Sequence, residues 1–402
     1  MTARCRGLCR PTGNHRASPL QQLRPVAALR AGSIALLVLA LFAAPAAAQW
    51  LPVKGVAFEP VPTETAGEAL FIEYDLEVAD LSPLSPAYVF VRYSLDGGAH
   101  WSLVPSHQLR GDGHDLVVAG GRRKIVWWGS DQLGLTGEAA DLKIAVRALR
   151  MVRVPSGAFL AKMIPGGAFD ASKSRVDEAT LPTFHLAKFE TTVGMYADFL
   201  NETGKHGRGW NRLMANPERC GIERQENDHY RVVAGRDNFP INYVSWYEAQ
   251  VFLDWCGLRL PTELEWLKAL RGGLYLDGDE SKRLKNPRPE RKFPWGDDSP
   301  EAGGLWRCNC EVADRNRPPQ LTPVGAFGKF NSPYGACDLV GNVAEWTLDW
   351  YATSYHNGID GYRMIRGGSY MDPPAGCDAL AGASQLPMKR GSITGFRGIR
   401  AK

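Results

Sequence analysis

Between residues 52 and 150 the chain is a series of short runs in which apolar and polar residues alternate, and this pattern limits what the segment can fold into. The runs are Leu70-Phe-Ile-Glu-Tyr-Asp-Leu76, Tyr88-Val-Phe-Val-Arg-Tyr-Ser-Leu95, His114-Asp-Leu-Val-Val118, Arg123-Lys-Ile-Val-Trp-Trp128 and Leu142-Lys-Ile-Ala-Val-Arg-Ala-Leu149. Side chains two apart share one face of a strand, so each run can bury one face and wet the other. Asp96-Gly97-Gly98 and Gly111-Asp-Gly113 supply turns between them. Alternation with regular turns reads as an antiparallel, all-β sandwich of about 100 residues, spanning 52–149.

After residue 150 the texture changes. Glycine, proline and tryptophan become dense, and only a few helices are legible. Ser245-Trp-Tyr-Glu248 and Thr262-Glu-Leu-Glu265 have the spacing of capping boxes, in which a hydroxyl and a glutamate satisfy each other's backbone N–H groups. Ala249, Phe252, Trp255 and Cys256 form an apolar face behind the first box, and Gly257 closes that helix. Leu264, Leu267 and Leu270 follow the second, closed by Gly272-Gly273. A third helix is expected from Thr191 to Asn201, with Tyr196, Phe199 and Leu200 inward. Elsewhere this region reads as mostly loop and irregular strand.

The N-terminus modifies what the composition implies. Six arginines (Arg4, Arg6, Arg10, Arg16, Arg24, Arg30) precede the apolar run that begins at Ile34, and Ala46-Ala47-Ala48 ends it. Positive, then apolar, then small is the order of a secretory signal peptide, expected over 1–48. Pro45 interrupts an apolar stretch shorter than the ~20 residues a spanning helix needs, so no transmembrane anchor is expected after cleavage. The formal charge is +4, from 47 basic and 43 acidic residues; without the six arginines, 41 basic groups face the same 43 acids. A nucleic-acid partner is therefore not expected. Export to the periplasm or beyond makes disulfides the expected state of Cys220, Cys256, Cys308, Cys310, Cys337 and Cys377, with the pairing open. Cys308-Asn-Cys310 is too tightly spaced for a zinc knuckle.

Two resemblances stand on particular residues. Leu95-Asp-Gly-Gly-Ala-His-Trp101 is similar to hairpins of immunoglobulin-like or fibronectin-like modules. The second resemblance covers about 150–400. It rests on Met151-Val-Arg-Val-Pro-Ser-Gly-Ala-Phe159, Lys188-Phe-Glu-Thr-Thr-Val193, Pro240-Ile-Asn-Tyr-Val-Ser-Trp246 and Arg259-Leu-Pro-Thr-Glu-Leu-Glu-Trp266. Phe293-Pro-Trp-Gly296, Pro323-Val-Gly325, Gly341-Asn-Val-Ala-Glu-Trp346, Arg366-Gly-Gly-Ser-Tyr370 and Gly395-Phe-Arg397 continue it. These strings, in this order, resemble the formylglycine-generating enzyme, or sulfatase-modifying factor, family.

The resemblance implies that 150–402 is a compact α+β domain, low in regular structure and related to C-type lectins, with a calcium ion at the positions of Asp338, Gly341, Val343 and Glu345. A second calcium position would fall near Asn309, with Asp314 or Asn316. Carboxylate and carbonyl oxygens are the donors Ca²⁺ prefers. Formylglycine-producing members bind Cu⁺ between two thiolates five residues apart, just after the GGSYM string. Here those positions hold Asp372 and Cys377. A carboxylate is a hard ligand and a poor substitute in a soft site, so the resemblance implies a degenerate copper centre, with Ser369 and Cys377 remaining of the catalytic positions. Ala344 and Gly376 also depart from the family pattern. A related iron-using branch draws its histidines from another domain; His185, His206, His229 and His356 lack such spacing here.

The favoured expectation is an exported binding or scaffold module that meets a protein or glycan partner in the cell envelope through aromatic loops (Trp210, Tyr230, Trp306, Tyr351, Tyr355). The alternative is a copper- or iron-dependent oxidase that modifies a protein cysteine, using Cys377 with Asp372.

Overall fold

The computed structural model of the 402-residue chain describes residues 50–63, 67–130, 141–163, 175–203, 209–302, 305–311, 319–351 and 361–401. The expected signal segment lies outside them. The molecule is strand-rich, with three α-helices among the described residues.

Two sheets face each other in the first part. One is antiparallel, in the order Val53–Thr63, Gly67–Leu76, Gly121–Trp127, Leu109–Gly111. The other is built on Ala87–Ser94 and Lys143–Val154, paired antiparallel from Ala87↔Arg150 to Ser94↔Lys143. Ile72, Tyr74, Leu76, Val89, Val91, Ile125, Trp127, Ile144 and Val146 fill the space between the sheets. They are the inward positions of the alternating runs, as the period of two requires.

The boundary expected at 149/150 falls inside the strand Lys143–Val154. Its first half pairs with Ala87–Ser94; its last residues, Met151 to Val154, pair with Ala187 to Phe184. Phe184–Ala187 in turn pairs with the C-terminal strand Ile399–Ala401. Composition changes at 150, but no turn residue interrupts the run, so the backbone continues and one sheet serves both parts.

A charged cluster fastens the two parts together. Glu202, at the end of helix α1 (Val193–Thr203), accepts from Arg92 Nε at 2.7 Å and from Trp255 Nε1 at 2.9 Å. Arg147 donates to the same carboxylate and to Asp198. Tyr88 and Phe90 of Ala87–Ser94 and Leu149 of Lys143–Val154 join Phe199, Phe252 and Trp255 in one apolar core.

Both capping boxes form. In α2 (Trp246–Cys256), Ser245 Oγ accepts from Glu248 N and Glu248 returns the bond; Gly257, at φ 74°, ends the helix in the left-handed region. In α3 (Glu263–Arg271), Thr262 and Glu265 do the same. Helix α1 begins two residues later than expected and buries Tyr196, Phe199 and Leu200. A further sheet places Gly382–Gln385, Tyr362–Arg366, Ala344–Tyr351 and Thr394–Gly395 side by side. Its Ala344–Tyr351 strand follows directly from the Gly341 turn, so it fixes the position of the candidate site. No helix among the described residues is long and apolar enough to cross a membrane.

Candidate functional site

The site is assembled from three loops: 308–311, 338–345 and 366–377. Gly341 makes their close approach possible. It has φ +77°, and a Cβ there would lie 2.3 Å from the Asn309 carbonyl oxygen. Asn342, also left-handed, ties the loops together: its Oδ1 accepts from Asn309 Nδ2 and Thr322 N, and its Nδ2 donates to Glu190. Backbone bonds add Asn342 N to Asn309 O at 2.7 Å and Glu311 N to Asp372 O at 2.8 Å.

Within the third loop, the expected catalytic positions close on themselves. Asp372 Oδ2 accepts from Ser369 N at 2.8 Å and from Ser369 Oγ at 2.6 Å, while Asp372 N donates to Ser369 O. One of its carboxylate oxygens, Oδ2, thus caps its own turn. Ser369 is fully buried with its hydroxyl committed. Cys377 Sγ lies near the carbonyls of Ser369 (3.7 Å) and Asp372 (3.9 Å). A Cβ on Gly368 would meet that sulfur at 2.9 Å. The pair at 372 and 377 does not fit Cu⁺: one sulfur faces a hard carboxylate that is already hydrogen-bonded elsewhere.

Another thiol stands beside Cys377. Cys310 contacts both Cys308 and Cys377 through its sulfur. Those two hydrogen bonds push the Cys310 thiol down, while donating to Cys310, together with burial, pushes Cys308 and Cys377 up. Sequence reading missed this neighbour because the two cysteines are far apart in the chain and no spacing rule connects them. All six described cysteines are free thiols in this structure, each buried.

The expected calcium positions are also compact. Asp338 Oδ2 accepts from Gly325 N, and burial pushes its carboxyl up to about 6. Glu190 lies close by, fully buried and raised well above the usual carboxylate range by burial, then by Asp338 and Glu345. Glu345, however, is taken. Arg397 Nε donates to both of its oxygens at 2.8 and 2.9 Å, Arg397 Nη2 adds a bond of 2.6 Å, and Trp266 Nε1 donates to Oε2 at 3.0 Å. Each Glu345 oxygen already accepts two bonds, and Arg397 Nη2 also occupies the carbonyls of Cys337 and Asp338. Among the described residues no group of three or more His, Cys, Asp or Glu is placed to hold a metal ion. In this arrangement Asp338, Gly341, Val343 and Glu345 do not fit a calcium ion, because a guanidinium already supplies the positive charge. At the second position, Asn309 Nδ2 is bonded to Gln320 O and Asn342. Asp314 and Asn316 lie outside the described residues. Replacing EDTA by millimolar Ca²⁺ is accordingly expected to leave the melting temperature unchanged. A rise of about 5 °C, as a ligand at ~100 times its Kd would give, would show that Glu345 releases Arg397 for the ion.

The expected recognition aromatics divide. Tyr230 is core, 1% exposed, and Trp210 is tied to Ile222 O. Trp306 and Tyr351 are half-buried, and Tyr355 lies outside the described residues. Among the described residues the exposed rings are Tyr247, Trp350 and Tyr362, with the Arg363 guanidinium between Trp246 and Trp350, 3.8 and 3.4 Å from the ring centres. His185 is buried in its strand, and His100 contacts the Asp96 carboxylate. His206 and His356 lie outside the described residues.

Comparison with known proteins gives the family. Residues 139–402 match the sulfatase-modifying factor enzyme 1-like domain. Formylglycine-generating enzyme of Mus musculus is 32% identical over 308 residues, covering 66% of this chain and 77% of that protein. Inactive C-alpha-formylglycine-generating enzyme 2 of Bos taurus is 36% identical over 259 residues, 57% of this chain and 79% of that protein. Hercynine oxygenase of Mycolicibacterium smegmatis is 28% identical over 265 residues, 55% of this chain and 56% of that protein. The solved structure titled "Crystal Structure of CarF" aligns with TM-score 0.43 and 22% identity, covering 62% of this chain and 97% of that one. With its glycine-dependent loop cluster and a family match over most of its length, the chain belongs to the sulfatase-modifying factor enzyme 1-like family.

Proposed function

We propose that the protein is an exported family member that does not convert cysteine to formylglycine through the 372/377 pair. In this reading it serves as a binding or scaffold module, with an immunoglobulin-like front sandwich, toward a protein or glycan partner of the cell envelope. One observation carries it: Asp372 stands where the second sulfur is needed, and its carboxylate is held by Ser369 N and Oγ. The bovine relative at 36% identity is itself named inactive, so the family accommodates loss of the chemistry. The exposed Tyr247, Trp350 and Tyr362 supply rings suited to stacking on a sugar or an apolar side chain.

The rival is a copper- or iron-dependent oxidase built on Cys377 with Asp372. It would need Asp372 to leave its turn. Incubating a CxPxR peptide with the purified protein and Cu⁺ is expected to yield no aldehyde above the protein-free control. Copper-dependent turnover would overturn the proposal in favour of the oxidase.

A further inference from the structure

Three of the six described cysteines meet in one place, and neither the fold nor the proposed binding role accounts for their meeting. Cys308, Cys310 and Cys377 are 4%, 3% and 0% exposed and pack in one buried cluster, with Cys310 in side-chain hydrogen-bonding reach of both of the others. The three together do not form a three-ligand group placed to hold a metal ion. Neighbouring thiols can share a bond. The segments that bear them are already held in register, by Glu311 N to Asp372 O and by the packing of Gly341 against Asn309. Cys220 and Cys256 differ: they are buried in the separate core around α1 and α2.

We propose that Cys310 and Cys377 form a disulfide that pins loop 308–311 to loop 366–377, with Cys308 as an internal thiol able to exchange into it. This goes beyond the binding role and does not depend on it. Cys310–Cys377 is favoured over Cys308–Cys310 as the resting bond because a ring with a single intervening residue strains the dihedral that a disulfide prefers. A link between distant parts of the chain also restricts the unfolded state far more. The oxidant is an external disulfide, such as oxidised glutathione. The Sγ–Sγ bond between 310 and 377 forms, the oxidant's S–S bond breaks, and the two thiol protons end on the oxidant's two sulfurs, which are reduced. Burial of all three sulfurs means that this happens before the loops close. Exchange then needs no outside partner. The Cys308 thiolate attacks Cys310 Sγ, the bond to Cys377 breaks, and the proton lost by Cys308 is regained at Cys377.

The test is disulfide mapping of the full chain refolded in a glutathione buffer. Free thiols are alkylated under denaturing conditions, and the digest is read by mass spectrometry. The expected result is a cross-linked Cys310–Cys377 peptide as the main species, lighter by two hydrogens than its separate parts, with Cys308 alkylated. In Cys377→Ser the link is expected to move to Cys308–Cys310. In Cys308→Ser the 310–377 link is expected to persist. Complete alkylation of Cys310 and Cys377 in the unmodified chain, or pairing of Cys377 with Cys337, would overturn the proposal. Alkylation of Cys308 and Cys310 in Cys377→Ser would overturn the exchange step. The unmodified chain's map needs no variant to fold, and none of these outcomes bears on aldehyde formation, which is measured separately.

Discussion

Arg397→Ala is expected to lower stability by about 3–5 kcal/mol, the cost of breaking a buried ion pair from one side. Arg397 is 0% exposed and Glu345 1%. Beyond Glu345, the guanidinium donates to the carbonyls of Ala187, Lys188, Cys337 and Asp338. Its removal leaves the buried Glu345 and Glu190 and the half-buried Asp338 around a void, with carbonyls unsatisfied. Against a total of about 5–15 kcal/mol, that loss brings the chain close to unfolding at ambient temperature. Urea denaturation reads it directly, as a lower midpoint at unchanged slope.

The same variant carries a pH signature. Burial already raises the Asp338 and Glu190 carboxyls in the folded state, Asp338 to about 6. A folded carboxyl raised above its unfolded value binds more protons when folded, so stability is gained as pH falls through the folded value and lost as it rises. Without the cation these groups rise further. The deficit of Arg397→Ala should therefore shrink on acidification from about pH 8 to about pH 5. A deficit that does not vary with pH would mean that Arg397 acts through packing alone. Arg397→Lys keeps the charge but not the planar fork, and is expected to recover only part of the loss.

The second large effect concerns the joint between the front sandwich and the rest. Glu202→Ala is expected to cost about 3 kcal/mol, the low end for a broken buried pair, because Arg147 keeps Asp198. Glu202 is 9% exposed on its side chain and Arg92 3%. Loss of the carboxylate leaves two guanidiniums over the Trp255 ring, 5.0 and 5.5 Å from its centre, with half their compensation gone. Combining it with Arg92→Ala is expected to cost less than the two single changes summed, since each removes the other's partner. Amide exchange should quicken first in Ala87–Ser94 and in the last turn of α1. Strict additivity of the two changes would show that the pair is not the joint.

Local physics was legible where neighbours in sequence are neighbours in space. Both capping boxes rest on residues three apart, Ser245 with Glu248 and Thr262 with Glu265, and both form. The alternating runs became strands whose inward residues make the front core. That an aspartate and not a cysteine stands at position 372 was visible directly, because residue identity needs no tertiary partner. By contrast, the boundary drawn at 149/150 followed composition, and a strand is continued by hydrogen bonds that composition does not register. Tyr230 looked like a recognition ring and proved to be core, since a tryptophan- or tyrosine-rich loop segment does not reveal which of its sides is covered.

The sequence by itself determined the family, the strand and helix types, and the absence of a second thiol at position 372, because each depends on residue identity at short range. Only the tertiary structure decided which charges meet. Arg397 closes on Glu345 across 52 residues, and in doing so takes the oxygens that looked free for calcium. It also brings Cys310 against Cys377, a contact between loops held together by Gly341's lack of a side chain and by backbone bonds. Long-range partners are selected by how the chain packs as a whole, and a residue's spacing in sequence carries no record of that choice.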